Sequence, residues 1–107
     1  MKLTIEVKAK QTRYQELYQT LQALLPTIRE EKGCQGGRIY RDTEDGEAFF
    51  LAVDWEEQSN LDHYLRTNSG SALLGALELL SETTRVRIGS EETWEGIETL
   101  KRMRKEK

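Results

Sequence analysis

The sequence predicts an α+β domain, an antiparallel β-sheet covered by helices on one of its faces. Three observations lead there. "KLTIEVKAK" near the start and "TTRVRIGS" near the end alternate polar and apolar residues with the period of half-buried strands. Between them, apolar residues at helical spacing mark two helical stretches, and "EDG" separates two further runs of strand character.

In the first strand Leu3, Ile5, Val7 and Ala9 point one way, and Lys2, Thr4, Glu6, Lys8 and Lys10 the other. Thr12 as N-cap with Gln15 three residues on reads as a capping box. Tyr14, Leu17, Tyr18, Leu21, Leu24, Leu25 and Ile28 then predict a long amphipathic helix. Pro26 is expected to kink or end it near its last turn, and Gly33 to terminate it. In "CQGGRIYRDTEDGEAFFLAVDWE" two strands flank a tight turn for which Asp45-Gly46 supplies the positive-φ residues, and Phe49, Leu51, Val53 and Trp55 share one face of the second. From Ser59, "SNLDHYLRT" is helical, with Leu61, Tyr64, Leu65 and Asn68 on one side. At 100° per residue His63 falls about 160° from Leu65, facing outward, and Asp62 is read as solvent-facing too. "SGSALLGALELL" follows as a buried helix in which Gly75 and Ala76 permit close approach. Thr84, Val86 and Ile88 of the last strand face inward, Arg85 and Arg87 outward. The tail reads as a helix capped by Ser90, with Glu91 and Glu92 in its first turn and a stripe of Trp94, Ile97, Leu100 and Met103.

This order is the ferredoxin-like split βαββαβ plan, with residues 1–90 as the domain and 91–107 as an extra C-terminal helix. A chain of 107 residues forms one domain with a thin core, which a partner subunit would extend. Net charge is -3, so nothing in the bulk balance attracts phosphate backbones or anionic lipid. Neither a signal peptide nor a stretch of membrane-spanning length is apparent, and a cytoplasmic location is the expectation. With Cys34 alone, no intrachain disulfide or cysteine-based metal site can form.

The sheet face turned away from the helices would carry Lys2, Thr4, Glu6, Lys8, Arg38, Tyr40, Phe50, Ala52, Asp54, Arg85 and Arg87. Two uses of it compete. Two copies can pack these faces into a closed barrel with charges paired across it, such as Glu6 or Asp54 with Arg38, Arg85 or Arg87. Alternatively Tyr40 and Phe50 could stack the bases of single-stranded RNA. Glu6 and Asp54 lie in the path of the phosphates, and "EAFFLAVDW" lacks the basic-glycine-aromatic pattern of an RNA-reading strand, so the homodimer is favoured over nucleic acid.

"EEKGCQGGRIYRD", "FFLAVDWEEQSNLDHYLRT" and the apolar helix after them resemble the antibiotic biosynthesis monooxygenase family of the dimeric α/β barrel superfamily. The resemblance rests on Gly33-Cys34, Tyr40, Asp42, Trp55-Glu56, Leu61 and Leu65, and runs from residue 2 to about 89. It implies a dimeric barrel and, in part of the family, cofactor-free oxygenation of quinols or polyphenols. The position of the family's helix histidine is Tyr64 here, with His63 one residue early. Where heme-degrading members carry their iron ligand, this chain has apolar "ALLGAL".

Oxygenation without a cofactor needs a phenolic substrate that is its own reductant, a dry cavity, and donors for the developing oxyanion. The space between sheet and helices is the expected cavity, with Ile5, Val53, Leu74 and Leu77 among its walls. Tyr64, and secondarily His63, are the candidate catalytic residues; Trp55, Tyr14, Tyr18, Asn60, Asn68 and Leu51 are the candidate substrate contacts. Core packing alone could explain Trp55, Tyr14 and Tyr18. No Ser/His/Asp arrangement, phosphate-cradling loop or metal-ligand cluster is present, so hydrolase, nucleotide-dependent and metalloenzyme readings have no support and no metal is expected; that no cofactor is needed is what the resemblance implies. The partners expected are a small aromatic molecule, O2 and a second copy of the chain, with no membrane. A binding or assembly module of the same fold without catalysis is the alternative.

Overall fold

The computed structural model describes residues 1–89 and 93–105. Its strands are β1 (Lys2–Ala9), β2 (Cys34–Arg41), β3 (Ala48–Trp55), β4 (Ser81–Ile88) and the short β5 (Glu95–Gly96), and its helices α1 (Tyr14–Glu30), α2 (Gln58–Leu65), α3 (Asn68–Leu80) and α4 (Glu98–Lys105). They form one antiparallel sheet in the order β2-β3-β1-β4-β5. The fold is the ferredoxin-like α+β plan, with the second helix in two pieces and a fifth strand at the edge.

Alternation in β1 is realised residue by residue. Leu3, Ile5, Val7 and Ala9 are buried beneath the helices, while Thr4, Glu6 and Lys8 are half-buried on the far face. On β3 the buried set is Phe49, Leu51, Val53 and Trp55, and α1 covers them with Leu17, Leu21, Leu25 and Ile28. Burying a large apolar side chain contributes about 1.5–3 kcal/mol, and these two alternating runs and the α1 stripe supply half of the buried hydrophobic residues among those described.

Several local expectations are corrected. The N-cap of α1 is Arg13, without a side-chain cap bond; Thr12 has φ 71° and caps nothing. Arg13 instead pairs with Glu16 at 2.7 Å. Helix α1 runs through Pro26 to Glu30, because loss of one backbone bond in the last turn is outweighed by burial of Leu25 and Ile28. The β2–β3 connection does not rely on a positive φ at Gly46; Asp42 Oδ1 accepts from the backbone N–H groups of Glu44 (2.9 Å) and Asp45 (3.2 Å). In α3 the close approach is at Gly70, while a Cβ on Gly75 would meet open space and Leu79 is 68% exposed.

The tail differs most. Ser90, Glu91 and Glu92 lie outside the described residues, but Trp94 is not helical. It lies on the far face of the sheet, with the Arg85 and Arg87 guanidinium groups 5.0 and 4.6 Å from its ring centre. β5 then pairs with β4, and α4 packs on α2 through buried Leu100 and Met103. Lys101 pairs with Glu78 at 3.0 Å, and Arg66 Nε donates to the Arg104 carbonyl. Trp94 therefore belongs to the opposite side of the sheet from Leu100 and Met103. On the far face Glu6 is matched with Arg85 and Lys2 with Asp54 inside the same chain, so those charges need no second copy for pairing.

Candidate functional site

The seam between β3 and α2 positions Trp55. Its backbone N–H donates to the Met1 carbonyl at 2.7 Å, and Glu56 N–H donates to the Gly33 carbonyl at 2.7 Å. Gly33 has φ +84°, and Asn60 packs where its side chain would be. Glu57 is the N-cap of α2, and its side chain and that of Asn60 reciprocally satisfy each other's backbone N–H groups. Strand end, glycine turn and capping box thus fix the direction in which α2 leaves the sheet.

That direction turns Tyr64 onto Trp55. Both are fully buried, at 1% and 0% exposure, with ring centres 5.6 Å apart and planes inclined by 34°. The Tyr64 hydroxyl lies 2.9 Å from Ser69 Oγ. On a continuous helix a residue five positions on would sit about 140° around the axis, out of reach. The chain instead breaks at Arg66–Thr67, where Thr67 Oγ1 accepts from Gly70 N–H, and the restart as α3 brings Ser69 back over Tyr64. Periodicity read across this break gives no sign of Ser69; Thr67 as a cap residue three before Gly70 was the available signal. Burial pushes the Tyr64 hydroxyl up to about 12, against the lowering effect of Ser69 and with small contributions from Glu31 and Cys34. At neutral pH Tyr64 is a hydrogen-bond donor and not a base.

The Trp55 indole N–H is enclosed and, among the described residues, has no acceptor. Asp62 is half-buried rather than fully solvent-facing, and its Oδ1 is likewise enclosed without a partner among the described residues. An unmet buried donor costs about 1–3 kcal/mol, which makes Trp55 Nε1 a place where an incoming oxygen atom would be stabilised.

The other candidate residues are dispersed. Tyr14 and Tyr18 stack on each other at 6.1 Å and lean on Phe49 at 5.2 and 5.7 Å. Phe49 lies six residues from Trp55 on β3, about 20 Å along the strand, so the two aromatic clusters sit at opposite ends of the core. Arg41 covers Tyr14, donating to its hydroxyl, and Tyr18 accepts from Gln22. Leu51, 1% exposed, is packed between Ile5 and Ile39 in register, and Asn68 is exposed at the first turn of α3. His63 is exposed, as its helical phase predicts. Ile5, Leu51, Val53, Leu74 and Leu77, expected as cavity walls, are packed into the core at 4% exposure or less. Among the described residues no group of three or more His, Cys, Asp or Glu could hold a metal, and no helix is long and apolar enough to cross a membrane.

Fold and interior together define a ferredoxin-like domain whose sheet carries aromatic side chains toward its helices. A family model described as antibiotic biosynthesis monooxygenase matches residues 1–72 of the 107, and the chain belongs to that family. Solved structures share the fold at low identity. One from Pseudomonas aeruginosa is 21% identical, with a TM-score of 0.74 over 82% of this chain and 93% of that one. A protein from Methanosarcina mazei is 18% identical, with a TM-score of 0.77 over 85% and 91%. A structure described as an antibiotic biosynthesis monooxygenase is 16% identical, with a TM-score of 0.76 over 86% and 98%. No protein with a curated description matches the sequence.

Proposed function

We propose that this chain is a cofactor-independent monooxygenase of the cytoplasm that oxidises a small quinol or polyphenol with O2 in the Trp55–Tyr64 interior. The observation that carries this reading is the enclosed Trp55 N–H without an acceptor, beside the protonated Tyr64 hydroxyl. Family membership supports it. Two donors in a dry interior suit a substrate oxygen on which negative charge develops as the ring gives up electrons. The balance needs no other reductant: in an anthrone a ring CH2 becomes C=O, and in a dihydroquinone a ring C–H becomes C–OH as the ring becomes the quinone; one oxygen atom enters the product and the other leaves as water with two substrate hydrogens. Ser69 orients the Tyr64 hydroxyl, and Asn60 holds α2 over the seam. Because Trp55 and Tyr64 are closely packed, a substrate enters by displacing α2 and α3 from the sheet end.

The same reading includes a homodimer formed through the far face of the sheet. Tyr40 is 52% exposed there and Phe50 is half-buried, apolar area that a second copy would cover. Light scattering at micromolar concentration tests this, with a strictly monomeric particle as the contrary result.

Oxygen uptake with a panel of anthrones and dihydroquinones tests the activity. Uptake of one O2 per substrate is expected, and Tyr64→Phe lowers kcat by about 100-fold, the usual effect of losing one oxyanion donor. No uptake above the uncatalysed rate, in protein shown to be folded, would leave the non-catalytic binding module, a reading that the tight packing around Trp55 favours.

A further inference from the structure

One end of the sheet gathers more than Trp55 and Tyr64. Cys34 is the register partner of Trp55 across β2 and β3, so the two side chains share the helix side of the sheet. Cys34 is half-buried against the core. Its backbone N–H donates to the Glu31 carbonyl at 3.0 Å, and the Gly33 carbonyl accepts from Glu56, so the turn from Glu31 to Cys34 is tied to the seam where β3 passes into α2. Glu31 is half-buried in that turn, and both it and Cys34 lie within electrostatic reach of the Tyr64 hydroxyl.

Glu31 is differently placed from other acidic side chains. Among the half-buried carboxylates described, Glu6 is matched by Arg85, Asp45 by Lys8 and Asp54 by Lys2, and Asp42 accepts from two backbone N–H groups. The Glu31 carboxylate has no such partner among the described residues, which leaves both of its oxygens available to accept a proton. Asp62 is unmatched too, but it lies two positions before Tyr64, about 160° around α2, on the side away from Trp55. Arg29, two residues before Glu31 on α1, is held by the Gly37 carbonyl, and Lys32 is exposed.

We infer that Glu31 is the general base of the Trp55–Tyr64 site, taking the substrate proton at the end where α1 meets β2. The assignment rests on the monooxygenase function proposed for that site, whose two donors hold an oxyanion and leave the departing proton without an acceptor. The hydroxyl proton of a dihydroquinone, or a CH2 proton of an anthrone, passes to a Glu31 carboxylate oxygen. The substrate anion keeps the electron pair and forms a C–O bond with O2, giving a ring peroxide. The proton then returns from Glu31 to that peroxide, the O–O bond breaks, and water leaves with the hydrogen of the same ring carbon. Glu31 is neutral while the anion exists, so the site holds one negative charge and not two. Because Cys34 and Trp55 are on the helix side of the sheet, a second copy on the far face leaves this end uncovered.

Oxygen uptake by the full-length chain, with anthrone and a dihydroquinone as substrates, compares the parent with Glu31→Gln and Glu31→Ala. Glu31→Gln is expected to lower kcat about 100-fold with KM changed less than about threefold, and to remove the acid limb of kcat/KM against pH. Glu31→Ala loses as much, and added formate restores about tenfold, which a purely structural residue would not show. Tyrosinate absorbance, with Tyr64→Phe as the blank, checks the placement: once the carboxylate is gone, the Tyr64 titration moves below about 12. Uptake that persists within about twofold in Glu31→Gln overturns the assignment and leaves the monooxygenase function in place. So does a loss in Glu31→Ala that formate does not restore, or an unmoved Tyr64 titration. No uptake by the folded parent removes the monooxygenase function, and this assignment with it.

Discussion

Alanine at Gly70 and alanine at Gly75 give opposite results, although both replace glycine in the same helix. On propensity alone each substitution stabilises by about 0.5–1 kcal/mol. At Gly75 nothing opposes that gain, because the new Cβ meets open space. At Gly70 the Cβ would fall inside contact distance of the Tyr64 carbonyl oxygen, and 2.7 and 2.9 Å from the Cα and carbonyl carbon of Leu65. These are backbone atoms and cannot rotate away, so α2 and α3 must separate. Overpacking of this kind costs about 1–3 kcal/mol, and strain on the Thr67 cap adds about 1 kcal/mol. Gly70→Ala therefore destabilises by about 1–3 kcal/mol net, and the two variants differ by about 2–4 kcal/mol. Urea unfolding followed by circular dichroism reads this directly, with midpoints separated by about 1 M or more at an m-value near 2 kcal/mol/M. A Gly70→Ala protein within about 0.5 kcal/mol of the parent, or a Gly75→Ala protein less stable than the parent, would refute the assigned packing at the helix break.

Three more outcomes are expected. Because the Tyr64 pKa is raised in the folded state, its contribution to stability is complete below pH about 10 and is lost as pH rises toward about 12, a fall of roughly 2–3 kcal/mol that Tyr64→Phe abolishes; urea midpoints against pH, with tyrosinate absorbance alongside, measure it. Gly33→Ala forces a side chain into φ +84° and against Asn60, loosening the α2 cap at a cost of about 2–3 kcal/mol, visible as a lower Tm and faster amide exchange at residues 56–60. His63→Ala, at an exposed position, changes stability by less than about 0.5 kcal/mol and leaves any oxygen uptake unaltered; a large loss of uptake would return His63 to the chemistry.

Much of the fold was legible because it is written in short periods. Alternation in Leu3, Ile5, Val7 and Ala9, and in Phe49, Leu51, Val53 and Trp55, fixes which sheet face is buried without reference to anything distant. The same holds for the inward Tyr64 and outward His63 on one helix. Errors collected where a period was carried across a break. Reading "SNLDHYLRT" and "SGSALLGALELL" without the restart at Thr67 misplaced the close glycine and hid Ser69. The stripe of Trp94, Ile97, Leu100 and Met103 looked helical by spacing, yet Trp94 and Leu100 ended on opposite sides of the sheet.

By itself, then, the sequence determined the order of the first four strands and the helices between them, the buried faces of β1, β3 and α1, and the pairing of Trp55 and Tyr64 as inward aromatics. Each of these depends on residues within a few positions of one another, where backbone geometry dictates direction. Tertiary structure alone decided that Tyr14 and Tyr18 join Phe49 at one end of the core while Trp55 and Tyr64 meet at the other. It also decided that Trp55 keeps an unmet N–H, that Tyr64 finds Ser69, and that Glu31 and Cys34 lie at the Trp55 end of the sheet. Those outcomes turn on distances between segments far apart in the chain, set by strand register and by the angle at which each helix leaves the sheet.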